Sequence, residues 1–175
     1  MRPILAAAFL LAFVFPQTNV QRSADADPLK PLAFLEGTWQ AKTQSGSASA
    51  DVAGTYSFER ELKGHVLARR TQSVAGCKGP SAFDCEHSDL LYIYPGPDHK
   101  SLKAIYLDNE GHVIHYDVST TDSTTAQFLS DSSTPGPQFR LVYELKSGVM
   151  SGKFQVRPPG QPDWKSYLEW SGEKR

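Results

Sequence analysis

The sequence has little excess charge, few cysteines and no long hydrophobic run, and each shortage excludes a class of protein. Its 175 residues carry 18 Lys and Arg against 19 Asp and Glu, so we predict no basic surface for nucleic acid. Two cysteines are too few for a disulfide-framework miniprotein or a four-cysteine zinc site. A chain with 39% hydrophobic and 21% charged residues is typical of one ordinary globular domain.

Motifs of the common enzyme classes are also missing. The chain has no G-x-S-x-G, H-E-x-x-H, P-loop or G-x-G-x-x-G sequence, which argues against standard hydrolases, zinc peptidases and nucleotide-dependent enzymes. His112 and His115 resemble a chelating pair, but a spacing of three on a strand sends them to opposite faces. His115 and Asp117 share a face, yet no nucleophile accompanies them. We expect no catalytic residue, cofactor or metal site, and we favour a protein that is not an enzyme.

The longest apolar run lies close to the first residue. Ile4 to Phe15 are twelve apolar residues, a length typical of the core of a signal peptide rather than of a membrane span of about 20 residues. Ala24-Asp25-Ala26 supplies small residues for a cleavage site. We therefore interpret residues 1–26 as a signal peptide and 27–175 as one domain, secreted or periplasmic, with no membrane span after cleavage. An earlier cut near residues 17–21 and an uncleaved anchor are the alternatives.

Cys77 and Cys85 bracket a loop that contains Gly, Pro and Ser. In an oxidising compartment they could form a disulfide, worth about 2.5 kcal/mol in the chain-entropy model. Two free thiols are the alternative. A zinc site here would be incomplete, because His87 is the only further ligand nearby.

Short strands with turn residues between them follow residue 36, and no stretch of ten or more residues there has a clean helical apolar period. Pro28 to Leu35 predicts a helical turn that plugs one end of the sheet. Short connections such as Lys63-Gly64 and Ser147-Gly148 indicate antiparallel neighbours. The ten predicted strands are Thr38–Thr43, Thr55–Leu62, Val66–Ser73, Ser88–Tyr94, Ser101–Leu107, His112–Val118, Thr124–Ser130, Gln138–Lys146, Val149–Val156 and Lys165–Ser171.

Alternation along the strands predicts which side chains point inward. Tyr56, Phe58, Arg60 and Leu62 share one face of their strand. Ten antiparallel strands with an aromatic-rich face predict a mainly β protein built as a closed barrel, with a two-sheet sandwich as the alternative. The same rule gives an inward face for two later strands. On one strand this face consists of Phe139, Leu141, Tyr143 and Leu145. On the last strand it consists of Trp164, Leu168 and Trp170.

Several short sequences resemble a known group of barrels. FLEGTW at residues 34–39 places Gly-x-Trp on the first strand after a helical turn and resembles the opening of lipocalin-like and calycin barrels. GTYSFE at 54–59, GHVL at 64–67 and YLEW at 167–170 are similar to exported bacterial domains of that type. The resemblance covers about residues 32–173. It implies a ten-stranded lipocalin-like barrel whose floor is closed by Trp39 beneath a cation, for which Arg60 and Lys174 are the candidates.

Arg60 interrupts an apolar face and therefore needs a carboxylate, an aromatic stack or a bound anion. An inward Arg60 among tyrosine hydroxyls would suit the carboxylate of a fatty-acid-like ligand, whereas a surface acid is the alternative partner. On the next strand Arg69 and Arg70 have equal claims to the inward position. The predicted ligand-binding residues are Trp39, Tyr56, Phe58, Arg60, Tyr92, Tyr106, Tyr143 and Trp170.

Three functions are compatible with these patterns. The leading one is a barrel that binds a small apolar or amphipathic ligand, favoured by a void beside Arg60. An envelope protein-interaction module with a solid barrel is the second, favoured by interlocked aromatics, and its protein partners are not predicted. A haem-binding barrel similar to the nitrobindin branch is the third. That branch has its axial histidine on a late strand, and no histidine follows His115.

Overall fold

A computed structural model describes residues 27–43, 52–72, 86–132 and 136–175. They form a closed barrel of ten antiparallel strands, which confirms the predicted fold class. Each strand pairs with its neighbours in sequence, and the last strand pairs with the first. The strands are β1 (Gly37–Thr43), β2 (Val52–Glu61), β3 (Val66–Gln72), β4 (Asp89–Pro95), β5 (Leu102–Asp108), β6 (Val113–Thr120), β7 (Thr125–Ser130), β8 (Gln138–Lys146), β9 (Val149–Arg157) and β10 (Lys165–Lys174).

A short 3₁₀ helix plugs one end of the barrel, as predicted. It spans Lys30–Leu35, with a proline in its first turn, where the missing amide hydrogen costs no hydrogen bond. Leu29, Leu32 and Leu35 are fully buried and complete the apolar core at this end. We call this end of the barrel the plugged end.

The inward face of β2 is shorter than predicted. Leu62 was expected to continue it, and this is wrong because β2 ends at Glu61 and the chain reverses in a 3₁₀ turn, Leu62–Gly64. Leu62 and Lys63 adopt left-handed φ angles of 48° and 59° to make this reversal. The Leu62 side chain is consequently 72% exposed.

A β-bulge changes the face of β10 near its start. The pairing of β10 with β9 shifts register between Ser166 and Leu168, and one extra residue reverses which side chains point inward. Trp170 is buried as predicted. Trp164 instead stacks against Arg140. Arg140 is on the outer face of β8, because the next residue, Leu141, is the one that points inward and is buried. The predicted inward orientation of Trp164 is therefore wrong.

The end of the barrel opposite the plug carries the longer connections, and we call it the loop end. Five strands terminate there, at Thr43, Gln72, Asp108, Ser130 and Arg157. Cys77 and Cys85, the predicted disulfide pair, lie outside the described residues. The described part of the chain contains no helix with the length and apolar character of a membrane span.

Candidate functional site in the barrel interior

The Gly-x-Trp sequence forms the floor of the barrel. Trp39 is buried and donates its indole N–H to the carbonyl of Leu35, 2.8 Å away in the plug. Lys174 Nζ lies 5.5 Å from the centre of the Trp39 ring, so Lys174 supplies the cation. Gly37 has a φ of 116°, and a Cβ there would come within 2.6 Å of Lys174 Cε. The glycine thus makes room for the lysine that covers the tryptophan.

Arg60 does not occupy the interior as an anion anchor. Its Nε donates to Glu36 at 2.7 Å, and its two terminal nitrogens donate to Asp27 at 3.1 and 3.0 Å. Partial burial acts to raise the pKa of Asp27, but hydrogen bonds from Arg60 and the Leu29 amide outweigh it and lower the pKa below its ordinary value. Two carboxylates already satisfy this guanidinium, so its place is at the plugged end, where it fastens the plug.

Aromatic side chains fill the middle of the barrel. Tyr143 lies at their centre, with ring centroids 5.4 Å from Phe58, 5.7 Å from Trp170 and 6.1 Å from Phe128. All three contacts are edge-to-face, the arrangement that aromatic quadrupoles favour. Tyr56 is 6.3 Å from Tyr143 in a tilted arrangement. Four of the predicted ligand-binding residues therefore meet in one interior cluster: Tyr56, Phe58, Tyr143 and Trp170.

A buried ion pair lies beside this cluster. Arg69 and Asp89 are 7% and 8% exposed and pair directly. The Arg69 guanidinium lies over the Tyr56 ring, 5.1 Å from its centre. Burial acts to lower the pKa of Arg69, but the charge of Asp89 and the nearby tyrosine oxygens together outweigh it and raise the pKa of the guanidinium. Arg69, not Arg70, is thus the interior arginine, and Arg70 pairs with Glu61 on the outer face.

Four buried polar atoms of the interior have no hydrogen-bond partner within the described residues. They are the Tyr56 and Tyr143 hydroxyls, Arg69 Nε and Trp170 Nε1. Burial raises the pKa of Tyr56 to about 12, against the opposing effects of the Arg69 charge and of the Trp170 indole N–H, which lies near the Tyr56 hydroxyl without reaching hydrogen-bond geometry. Burial also raises the pKa of Tyr143 above its ordinary value. Both phenols are therefore neutral at physiological pH and can donate a hydrogen bond. We call Tyr56, Arg69, Tyr143 and Trp170 the donor cluster.

Two predicted ligand-binding residues lie elsewhere. Tyr92 is on the outer face, where its hydroxyl accepts a hydrogen bond from Arg70 at 3.3 Å. It does not line the interior, because Leu91 and Ile93 take the inward positions of β4. Tyr106 reaches the loop end, where its hydroxyl donates to Asp108 Oδ2 at 3.2 Å and lies 3.2 Å from His87 Nε2.

Sequence reasoning missed the buried ion pair. Arg69 has the parity of buried Leu67, and Asp89 has the parity of Leu91 and Ile93, so the alternation itself was a signal. It was not decisive because the two adjacent arginines, Arg69 and Arg70, gave no reason to choose between the two registers of β3.

Comparisons with known proteins leave the family open. No protein-family model matches the chain, and no curated protein is significantly similar to it.

Proposed function

We propose that the protein is an exported barrel that binds a small, mainly apolar molecule with a hydrogen-bond acceptor at one end. The observation that carries this proposal is the donor cluster, four buried polar atoms without a partner among the described residues. A buried polar atom left without a partner costs about 1–3 kcal/mol. A bound acceptor group would remove this cost at several atoms together.

The chemistry of the donor cluster favours an acceptor over a donor. Guanidinium and indole nitrogens can only donate, and a neutral phenol can donate as well. A carbonyl or carboxylate oxygen would therefore suit Arg69 Nε, Trp170 Nε1 and the two hydroxyls. The surrounding aromatic rings, including Phe58 and Phe128, are apolar, and those that pack on Tyr143 would have to move apart to admit an apolar body. The role first expected of Arg60 passes to Arg69.

Only one end of the barrel would give a ligand access to the donor cluster. The 3₁₀ helix with its two buried leucines, together with the buried Leu29 before it, closes the plugged end, so a ligand would enter from the loop end. Export is supported by the apolar run in residues 4–15, and the lipocalin-like resemblance supports small-molecule binding over other barrel functions.

A second candidate is an envelope protein-interaction module with a solid barrel. The continuous edge-to-face packing around Tyr143 favours it, because such packing leaves the loops as the binding surface. In that case internal water would satisfy the donor cluster.

The two candidate functions can be distinguished by ligand titration of variants that each lose one of the buried tyrosine hydroxyls. Decanoate and 1-decanol are titrated into the protein while Trp fluorescence is recorded, for wild type, Tyr56→Phe, Tyr143→Phe and the exposed control Tyr167→Phe. We expect both interior variants to weaken decanoate binding and to unfold at or above the wild-type temperature, since each loses an unpartnered hydroxyl. Absence of any bound small molecule in native mass spectra of protein from its own compartment, with no binding of either probe, would support the solid barrel.

A further inference from the structure

Two histidines and two carboxylates meet at the loop end, outside the donor cluster. His87 Nδ1 lies 3.7 Å from Glu110 Oε1, and His112 Nδ1 lies 3.6 Å from Glu110 Oε2. His112 Nδ1 is also 2.9 Å from Asp108 Oδ2. Ligand atoms of His87, Asp108 and Glu110 all lie within 4.8 Å of one another. The geometry points to a zinc site formed by His87, Asp108, Glu110 and His112.

The spacing of these atoms suits zinc. With bonds of about 2.0–2.1 Å, the ligand atoms of tetrahedral zinc are about 3.3 Å apart. The separations of 3.6 and 3.7 Å between imidazole and carboxylate need only small side-chain adjustments to reach that value. His112 is not part of the set whose ligand atoms lie within 4.8 Å of one another, so its exposed side chain would have to rotate toward His87 to complete the four ligands. Two imidazoles with carboxylates favour zinc over magnesium and calcium, which prefer oxygen ligands alone.

The outer contacts of His87 are those of a metal-bound histidine. When Nδ1 faces the proposed ion, Nε2 faces the buried Asp89 carboxylate at 3.5 Å and the Tyr106 hydroxyl at 3.2 Å. Such a carboxylate partner typically orients an imidazole toward a metal and fixes its tautomer. Asp89 is itself held by Arg69, so the site is anchored to the core of the barrel.

Backbone contacts hold the two halves of the site together. His87 belongs to the connection between β3 and β4, whereas the other ligands belong to the turn between β5 and β6. Asn109 joins them through three hydrogen bonds: its amide to Ser88 O at 3.0 Å, its side chain to Glu86 O at 3.1 Å, and the Ser88 amide to its Oδ1 at 3.0 Å.

The turn is also fixed internally, and the site is accessible. Asp108 Oδ1 accepts the amides of Glu110 and His112. Oδ2 is contacted by the Tyr106 hydroxyl at 3.2 Å and by His112 Nδ1 at 2.9 Å, and it would bind the ion when His112 Nδ1 turns from Asp108 to the metal. The side chains range from 4% exposed for Asp108 to 62% for His112, so an ion could reach the site from solvent. The inference does not depend on ligand binding within the barrel.

No metal site was predicted because His112 was compared with His115 on one strand, and His87 was compared only with Cys77 and Cys85. The structure instead brings His112 near His87, from a different connection, through the shared Glu110 carboxylate. This juxtaposition depends on the pairing of β4 with β5, which the spacing of single residues does not reveal.

The test is zinc titration by calorimetry on untagged, chelator-treated protein. We expect one zinc ion per chain and an affinity that falls in His87→Gln and in His112→Gln by more than the about 10- to 100-fold typical of losing an outer-shell partner. The matched control is His115→Gln, an exposed histidine of β6 that should bind zinc as wild type does. Circular dichroism of the metal-free variants should match wild type, because both ligand histidines lie in surface connections.

A second probe reports coordination directly. Cobalt bound in place of zinc should give the visible absorption of a tetrahedral site, and excess magnesium should not displace it. The inference is overturned if wild type binds no zinc, if His87→Gln and His112→Gln bind as His115→Gln does, or if magnesium competes equally.

Discussion

At the scale of residues, the barrel interior contains a buried ion pair, Arg69 and Asp89, that the hydrophobic pattern of the sequence did not predict. Arg69 and Asp89 are both nearly inaccessible to solvent, and one terminal nitrogen of Arg69 pairs directly with the Asp89 carboxylate. Removing one partner leaves an uncompensated buried charge, which is far more costly than losing an exposed pair. The neighbouring Arg70, paired with Glu61 at 38% and 32% exposure, provides the comparison.

Asp89→Leu is therefore expected to lower the free energy of unfolding by about 3–5 kcal/mol. Arg69→Met combined with Asp89→Leu should recover most of that loss, because no buried charge is left without a partner. Arg70→Met should cost about 1 kcal/mol or less. Urea denaturation measures all three, and a double variant as unstable as Asp89→Leu alone would contradict the explanation.

Gly152 is a second residue whose role follows from packing. It faces Trp170 across the β9–β10 pair, and a Cβ there would overlap the indole ring. Gly152→Ala should lower the free energy of unfolding by about 1–3 kcal/mol and shift the Trp fluorescence, since the ring must move. Ser151→Ala, on the exposed side of β9, should change stability by less than about 0.5 kcal/mol. Equal effects of the two changes would show that the ring does not need this space.

At the scale of elements, the sequence predicts what alternation and turn chemistry determine. All ten strands were predicted, and the N-terminal helical turn was found where proline and leucine indicated it. The errors arose where the backbone departs from regular pairing, at the left-handed reversal after Glu61 and at the bulge beside Leu168. These depend on the register of neighbouring strands, so a single strand's pattern cannot reveal them.

The same limit applies to the partners of Arg60. Its position on the inward face of β2 could be predicted, but its two carboxylate partners, Asp27 and Glu36, lie on either side of the plug helix, and only the folded chain brings them near. The buried pair of Arg69 with Asp89 was not predicted, because the adjacent Arg70 had an equal claim to the inward position. Aromatic members of the donor cluster were predicted, whereas its one charged member was not.

The plug provides a prediction about pH. The folded-state pKa of Asp27 is below its ordinary value of 3.8, so its pairing with Arg60 stabilises the fold above pH 3.8, and this contribution is lost as the pH falls through the lower folded-state pKa. Arg60→Leu should lower the free energy of unfolding by about 1 kcal/mol at pH 6 and by less near pH 2.5. Chemical denaturation at both pH values tests this.

The control for the plug is Lys42→Leu, which removes an exposed pair with Glu173 on the barrel surface. It should have a small effect at either pH. Arg60→Leu should also affect decanoate and 1-decanol alike, because its guanidinium is at the plugged end. A selective loss of decanoate binding would restore Arg60 as an anion anchor.

At the scale of the whole molecule, the closure of the barrel sets its stability. β1 and β10 pair over Trp39 to Thr43, joining residues from the two ends of the described chain. Contacts so distant in sequence form late and slowly in folding, because a long loop must close first. Once formed, they leave every strand with two neighbours and no exposed edge.

Hydrogen exchange can test this closure amide by amide. Along a strand, successive N–H groups point to opposite neighbours, so an edge strand protects only every second amide. In the closed barrel, the consecutive amides of Trp39, Gln40 and Ala41 should all be protected, because β10 covers one side of β1 and β2 the other. Their protection should approach that of β6, the strand farthest from β1 around the barrel, since opening the seam requires breaking the pairing that completes the barrel. Alternating fast and slow exchange along β1 would show that the seam with β10 is open in solution.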